Sequence, residues 1–513
     1  MDRVCAALAW GRGRATVVTM ELFNTLSGRV ETLVPSDGEH LRMYACGPTV
    51  YDYGHIGNFR TFIHVDVLRR YLKQKGMAVR HVMNVTDVDD KIIRNAAAAQ
   101  VDIAAYTKKF EDAFFEDMDA LNVERPEVIP RATENIDEMV TLIETLRKKD
   151  IAYQAEDGSW YFRLARFPEY GKLSKKDFEG IVDGARVDLD EYEKDAARDF
   201  ALWKAVKVSP IGVREHAWET TLGAGRPGWH IECSAMATKF LGESFDLHAG
   251  GEDLMFPHHE NEIAQSESAS GRLFARHWMH VRFLLVEGRK MSKSEGNFYT
   301  LRDLLLRGHR ASAIRFLLMS VPYRHQLNFT FDGLIESTHA VDRLRTFQVR
   351  MHGIFHPGLD IELASTTRIA REAYDAALSN DLNTAEARAA IFDLVRAGNS
   401  AADAGKLLAS NASEILEVLA RFDGVFAVLE DRDADITRAA VEWAQREGRM
   451  DEVSAELVTA LALTEEMIES LVAERTQAKK TRNFARSDAI RKDLLAKGIL
   501  LEDTKDGVHW RRK

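Results

Sequence analysis

Three cysteines in 513 residues are too few for a disulfide framework and suit a reducing compartment. No run of about 18 uncharged apolar residues occurs, so no transmembrane helix is expected. Proline is scarce: there are ten, and none follows Pro357. The stretch beyond Pro357 lacks the residue that most often breaks helices and reads as mostly helical. Positive charge is in the minority. The net charge of -11 gives no bulk sign of nucleic-acid binding, although a local basic surface stays open. What is present is ordinary for a globular protein, 45% apolar and 29% charged, which excludes disorder over most of the length. At about 100–200 residues per domain, about three to five domains are expected.

The N-terminus pairs a short apolar run, Val4 to Trp10, with Arg12 and Arg14 behind it. A secretory signal would put its charges first and have a longer core. Residues 1–19 therefore read as a disordered extension, or as an over-long start ahead of Met20. Leu41–Gly47 reads as a strand, Phe59–Lys75 as a helix and Val79–Val85 as a second strand, the opening of a parallel α/β sheet. Apolar spacing from Ile136 to Leu146 predicts a helix over 132–149. Residues 150–225 look irregular, like an insertion. Sheet-type sequence resumes at Phe245–His248, with a helix from Pro257 to Ser268 and a strand over His280–Val286. After about 300 only helices are expected, with breaks near 354–360 and 398–402.

Two segments carry nucleotide chemistry. Pro48-Thr49-Val50-Tyr51-Asp52-Tyr53-Gly54-His55-Ile56-Gly57-Asn58 lies between a strand end and a helix start, where backbone N–H groups attract phosphate. His55 and Asn58 can donate to phosphate oxygens, and Gly57 admits a nucleotide; a plain turn with a helix-capping histidine is the competing reading. Lys290-Met291-Ser292-Lys293-Ser294-Glu295-Gly296-Asn297 puts two lysines on a Ser/Gly loop able to follow a triphosphate. Alone it also fits a solvated basic loop. Together, each after an expected strand of the same sheet, the pair resembles the two signatures of class I aminoacyl-tRNA synthetases.

Cys46, Cys233, His258 and Glu262 offer zinc-ligand chemistry, with His258 and Glu262 four apart on one helix face. Their spacing matches no local zinc motif, so from spacing alone the metal reading is weak, and two small buried cysteines beside a helix-surface ion pair are the competing reading.

The resemblance then narrows. Cys46-Gly47-Pro48-Thr49-Val50-Tyr51, Asn84-Val85-Thr86-Asp87-Val88-Asp89-Asp90-Lys91, Gly225 through Met236 (GRPGWHIECSAM) and Phe256-Pro257-His258-His259-Glu260-Asn261-Glu262 resemble the cysteinyl-tRNA synthetases from about Glu21 to the C-terminus. The resemblance implies one zinc ion on Cys46, Cys233, His258 and Glu262, contacting the substrate thiol. It places Cys46, Gly47, Thr86, Trp229 and Asp253 around cysteine. ATP, with Mg²⁺, falls to Pro48, Thr49, Gly54, His55, Gly57, Asn58, Lys290, Met291, Ser292, Lys293 and Ser294, of which His55, Asn58, Lys290 and Lys293 are the catalytic set. Two departures stand out: Asn58 replaces the histidine of the commonest signature, and Trp218–Gly223 lacks the usual Ser-Pro-Trp.

Arg475 to Lys513 holds twelve Lys/Arg against five Asp/Glu, a basic tail on an acidic chain. Arginines with aromatic rings suit unstacked RNA bases, and the tail resembles the family's anticodon-reading end, which implies tRNA contacts at Arg482, Arg486, Arg491 and Trp510. A solvated face with Phe484, Ile490 and Leu494 as core is the alternative. The expected fold class is a class I synthetase Rossmann-like α/β sheet with an insertion, then an all-α bundle and a small C-terminal region. The expected domains are 20–120 and 226–300 for the catalytic halves, 121–225 for the insertion, 301–350 for a stem-contact-like region, 351–464 for the bundle and 465–513 for anticodon binding. The expected partners are ATP, L-cysteine and tRNA(Cys), with no membrane, in a cytoplasmic monomer. The rival is a cysteine ligase of the mycothiol pathway, which lacks the long C-terminal region. A non-enzymatic tRNA-binding relative and a purely structural zinc are two further readings.

Overall fold

A computed structural model describes residues 20–176, 186–187, 199–206, 216–461, 465–504 and 507–512. The expected N-terminal extension, 1–19, lies outside the described residues.

A four-stranded parallel sheet organises the catalytic half. Its strands are β1 (His40–Ala45), β2 (Ala78–Met83), β3 (Phe245–Gly251) and β4 (Ala275–Val281), in the order β4-β3-β1-β2. Every residue of β3 is buried, as a strand covered on both faces requires. Helix α1 (Ile56–Gln74) crosses from β1 to β2; α2 (Trp229–Leu241) precedes β3, and α3 (Glu260–Ser270) follows it. The carboxyl ends of β1 and β3, flanking the middle of the sheet, open onto the same space. That is where a sheet of this kind binds ligands.

Among the described residues, the region expected to be irregular, 150–225, instead forms a mostly antiparallel sheet, which Arg186–Val187 joins in parallel. Its aromatic residues are strand formers: Trp160–Phe162 pairs with Asp199–Ala205, and the Phe162 and Phe200 rings stack at 5.0 Å. The insertion is fastened to the sheet's own helix. Buried Glu260 accepts hydrogen bonds from the backbone N–H groups of Gly171 (3.0 Å), Leu173 (3.3 Å) and Ser174 (2.8 Å).

The strand expected over His280–Val286 divides at Arg282. There the backbone N–H turns away to the Tyr323 carbonyl (2.8 Å), and Arg60 holds the Arg282 carbonyl. Leu284–Val286 therefore joins a separate three-stranded sheet with Arg289–Lys290 and Leu327–Phe329. The lysine loop accordingly follows a strand of this small sheet, not of the parallel one.

Beyond 330 the described residues are mostly helical to about 496, and 353–360 interrupts the helices as expected, as do 380–383, 404–408 and 427–432. The break expected at 398–402 lies inside helix Thr384–Asp403. Gly398 marks close packing there, since a Cβ would strike the Phe347 ring of the neighbouring helix. Arg315 ties this half to α1: it reaches Asp66 Oδ2 (2.6 Å) and the carbonyls of Leu121 (2.9 Å) and Phe426 (2.6 Å), fully buried. The C-terminal segment is not all helix. Ile499–Thr504 and Gly507–Arg512 pair as a hairpin on helix Phe484–Ala496, around a small core of Ile468, Ile490, Leu494, Ile499 and Leu501.

Candidate functional site

The Pro48–Asn58 loop continues β1. Thr86 N–H donates to the Pro48 carbonyl (3.0 Å) and Val50 N–H to the Thr86 carbonyl (3.1 Å), so the Pro-Thr-Val and Asn-Val-Thr segments run side by side. Gly47 is needed there, because a Cβ would overlap the Asn84 carbonyl. His55 then caps α1: its Nδ1 accepts from Asn58 N–H (3.1 Å), and Asn58 Oδ1 accepts from His55 N–H (3.1 Å). Capping and ligand binding are compatible. With Nδ1 as acceptor the ring proton sits on Nε2, and the Asn58 amide keeps its NH₂, so both residues retain a donor. Burial, with Lys293 nearby, draws the His55 pKa down to about 4, so the ring is neutral at physiological pH.

The lysine loop docks on this one. Ile56 N–H donates to the Tyr299 carbonyl (3.0 Å), the His55 and Phe298 rings meet edge to face at 5.2 Å, and Met291 lies against Gly57. Asn297 closes the loop by accepting from Ser292 N–H (2.9 Å) and donating to the Lys290 carbonyl (3.0 Å). A cleft of about 400 Å³ lies between the loops, with Asp52, Lys293, Phe298 and Arg449 among its walls. The structure thus brings together His55, Asn58, Met291, Ser292 and Lys293. Lys290, Lys293 and Ser294 are all exposed, and Ser294 Oγ lies 3.1 Å from Ser292 Oγ.

At the end of β1, Cys46, Cys233, His258 and Glu262 converge although widely separated in sequence, all buried. Cys46 Sγ lies 3.8 Å from Cys233 Sγ and 3.5 Å from Glu262 Oε1; His258 Nε2 lies 3.1 Å from Glu262 Oε1. Two thiolates on one tetrahedral zinc, at about 2.3 Å each, stand about 3.8 Å apart, so the donors are spaced for that ion. Burial, Cys233 and Glu262 push the Cys46 thiol up. Burial would raise Cys233 too, but the Cys46 hydrogen bond and His258 bring it to about 6. Burial opposes charge on His258 and on Glu262. Cys233 and Glu262 nevertheless lift His258 to about 10, and His248 and His258 hold Glu262 at about 2.

A second set shares two of these donors: Cys46 and Glu262 with His248 and His259. Sequence reasoning assigned no role to His248, His259, His280, Asn84 or Glu232. The signal was available: histidines inside apolar strands, and an acid beside the second cysteine. Asn84 Oδ1 accepts from Gly47 N–H (3.0 Å), and Thr86 Oγ1 donates to Glu232 Oε2 (2.8 Å). Burial, and then Cys233, raise the Glu232 carboxyl well above its usual range.

Of the expected cysteine contacts, Gly47 follows Cys46 in the chain, Thr86 bonds Glu232 beside Cys233, and Trp229 packs on His258. The half-buried Trp229 ring lies 4.2 Å from that of His258, and Asp253 stands exposed just past the end of β3. The expected tRNA contacts lie elsewhere, on the C-terminal segment. Arg482, Arg486 and Arg491 are exposed, Arg486 pairs with Glu474 (2.8 Å), and Trp510 is half-buried against the small core. Phe484, the candidate core residue, is 61% exposed, whereas Ile490 and Leu494 are buried.

Residues 32–339 match the tRNA synthetases class I (C) catalytic domain, and residues 373–430 match the DALR domain. A cysteine--tRNA ligase of Koribacter versatilis is 59% identical over 97% of this chain and all of its own length. One of Solibacter usitatus is 53% identical over 97% of this chain and all of its own length. Among solved structures, methionyl-tRNA synthetase of Mycobacterium tuberculosis bound by methionyl-adenylate shares the fold at a TM-score of 0.56. That likeness has 15% identity and covers 83% of this chain and 95% of that one. Among the described residues no helix is long and apolar enough to cross a membrane. The chain belongs to the cysteine--tRNA ligase family of the class I aminoacyl-tRNA synthetases.

Proposed function

We propose that the chain attaches L-cysteine to tRNA(Cys) in two steps, with the thiol chosen at the Cys46–Cys233–His258–Glu262 cluster. The observation that carries this is the buried donor set that includes Cys46, the residue from which the chain runs directly into the His55 loop. The cysteine carboxylate attacks the α-phosphate of ATP, giving cysteinyl-adenylate and pyrophosphate, and the terminal ribose hydroxyl of tRNA then takes the acyl group. No general base is required in the first step, since the carboxylate is already ionised.

His55 Nε2–H and the Asn58 amide hold phosphate oxygens, and Lys293 and Lys290 stabilise the charge that builds up as pyrophosphate leaves. Pro48, Thr49, Gly54, Gly57, Met291, Ser292 and Ser294 shape the ATP site, and Mg²⁺ accompanies the nucleotide. Cys46, Cys233, His258 and Glu262 hold zinc, which supplies a soft Lewis acid able to bind a thiolate and not a neutral hydroxyl. An apolar pocket alone separates such near-isosteres poorly. Gly47, Thr86, Trp229 and Asp253 orient the amino acid so that its thiol points at the cluster and its carboxylate at the cleft. Arg482, Arg486, Arg491 and Trp510 contact the tRNA anticodon region.

The chain acts as a cytoplasmic monomer. The mycothiol-pathway reading is disfavoured, since the curated relatives align through the C-terminal region that such a ligase lacks. Cysteine-dependent ATP–pyrophosphate exchange, with metal analysis and charging of tRNA(Cys), tests the proposal. Exchange that proceeds equally with serine, or protein that charges no tRNA, would refute it.

A further inference from the structure

Cys46 has a neighbour outside the proposed ligand set. His259 Nε2 lies 3.3 Å from Cys46 Sγ, His259 Nδ1 lies 2.9 Å from His280 Nε2, and His280 Nδ1 lies 2.9 Å from Thr25 Oγ1. Both rings are buried. Thr25 sits in the turn after strand Glu21–Asn24, and its own N–H is held by the Trp278 carbonyl (2.9 Å), two residues from His280 on β4. The row thus runs from the chain's first hairpin, across β4, to the end of β1.

We propose that Thr25, His280 and His259 form a hydrogen-bond relay that orients Cys46 as a metal ligand, with Thr25 a positioning residue at its outer end. The inference rests on the reading of Cys46 as a zinc-bound thiolate. A ligating thiolate carries no proton, so the hydrogen bond at the sulfur comes from His259 Nε2–H. A neutral imidazole has one proton, so His259 Nδ1 is an acceptor and His280 Nε2 donates. His280 Nδ1 is then bare, and Thr25 Oγ1–H donates to it. The row ends on a hydroxyl, the one group able to turn its proton either way. Run backwards, the same row would leave His259 Nε2 bare against a protonated Cys46 thiol. The direction of the relay is tied to the state of the sulfur.

Two of the other three donors have partners of the same kind. His230 Nδ1 lies 2.9 Å from His258 Nδ1, and His248 Nε2 lies 2.9 Å from Glu262 Oε2. Metal ligands are often steadied by carboxylates. Here imidazoles do it, which adds no further negative charge to two thiolates and a carboxylate.

The test uses the full-length protein stripped of metal, titrated with zinc against a chromophoric chelator. Cobalt loading then reads the sulfur-to-metal absorption band. Thr25→Val keeps the shape and removes the hydroxyl. Zinc affinity is expected to fall about tenfold, the low end for an outer partner of a ligand. The sulfur–cobalt band is expected to shift, and Thr25→Ser to restore both. His280→Phe, which keeps a ring beside Trp278, breaks the same row at a second point and is expected to weaken zinc at least as much. Unchanged affinity and an unmoved band in both breaking variants would overturn the relay and leave the zinc site standing. Zinc binding indifferent to Cys46→Ser and Cys233→Ser would overturn the relay together with the zinc reading.

Discussion

Lys293 Nζ lies 2.6 Å from Asp52 Oδ2, an ion pair that joins the two nucleotide loops. The side chains are 64% and 38% exposed, so the pair is worth about 0–1 kcal/mol at most and exchanges readily for another anion. A triphosphate entering the cleft offers that anion. Lys293→Ala is expected to lower adenylate formation about 10²–10³-fold, the usual loss for a transition-state charge contact, with cysteine binding little changed. ATP–pyrophosphate exchange at saturating substrates measures it, and an undiminished rate would take Lys293 out of the chemistry.

Cys46→Ser is expected to reduce bound zinc and the preference for cysteine over serine together. A purely packing cysteine tolerates so small a change, whereas a hydroxyl is a poor zinc donor. Cys233→Ser and His258→Ala should act alike, and Glu262→Gln more mildly, if water can take its place. Metal content per chain and the ratio of the two exchange rates are the readouts; full occupancy with intact selectivity in Cys46→Ser would contradict the assignment.

Zinc uptake should release protons. Cys46 is held as a thiol, and His258, lifted to about 10, is held as an imidazolium, so both must deprotonate to ligate. Affinity is therefore expected to rise with pH across the neutral range, with about two protons released per ion. Calorimetry in buffers of different ionisation enthalpy gives the number directly, and a count near zero would mean the donors are already ionised.

Acid stability should depend on His81. This buried histidine on β2 has its pKa drawn down to about 3 by burial and the Arg69 charge. Its folded value lies below the unfolded one, so its contribution is complete above about pH 6.5 and is lost as pH falls toward about 3. The loss between pH 7 and 5 is about 2 kcal/mol. His81→Leu should flatten that limb of the melting-temperature profile, and an unaltered slope would show that other groups govern it.

Removing residues from 465 onward should spare exchange and damage tRNA charging. The segment has its own small core, and the loops that activate cysteine are complete by Asn297. Charging by the full chain should weaken with added salt as phosphate contacts are lost. A soluble truncation that charges tRNA at the full rate would remove the tail from recognition.

Local signals were legible where one segment holds a whole device. The strand–loop–helix around His55 and the four-residue spacing of His258 and Glu262 could be read directly. The long-range pairings could not. Nothing near Arg282 announces that the strand ends there, because the cause is Arg60 and Tyr323, brought in by other elements. The insertion reads as irregular because its aromatic residues are spread over short strands paired at a distance. The polar stretch 398–402 suggests a break, and only the Phe347 ring beside Gly398 explains that glycine's place in a helix. His259 stands within the Phe256–Glu262 motif, yet its contact with Cys46 depends on the end of β1 meeting the turn that leads into α3.

The strand order has a consequence for synthesis. β1 can pair with β2 early, but its other edge belongs to β3, which begins at Phe245, 200 residues after Ala45. At about 5–20 residues per second a ribosome needs about 10–40 s to deliver it. Through that interval the nascent chain presents an apolar edge with unpaired backbone groups, the kind of surface that chaperones guard and that aggregates if unguarded. The metal donors wait as well, since Cys46 emerges long before Cys233 and Glu262. Supply of zinc therefore bears on a nearly finished chain, and a ribosome stalled inside the insertion would leave Cys46 as a lone thiol on an open sheet.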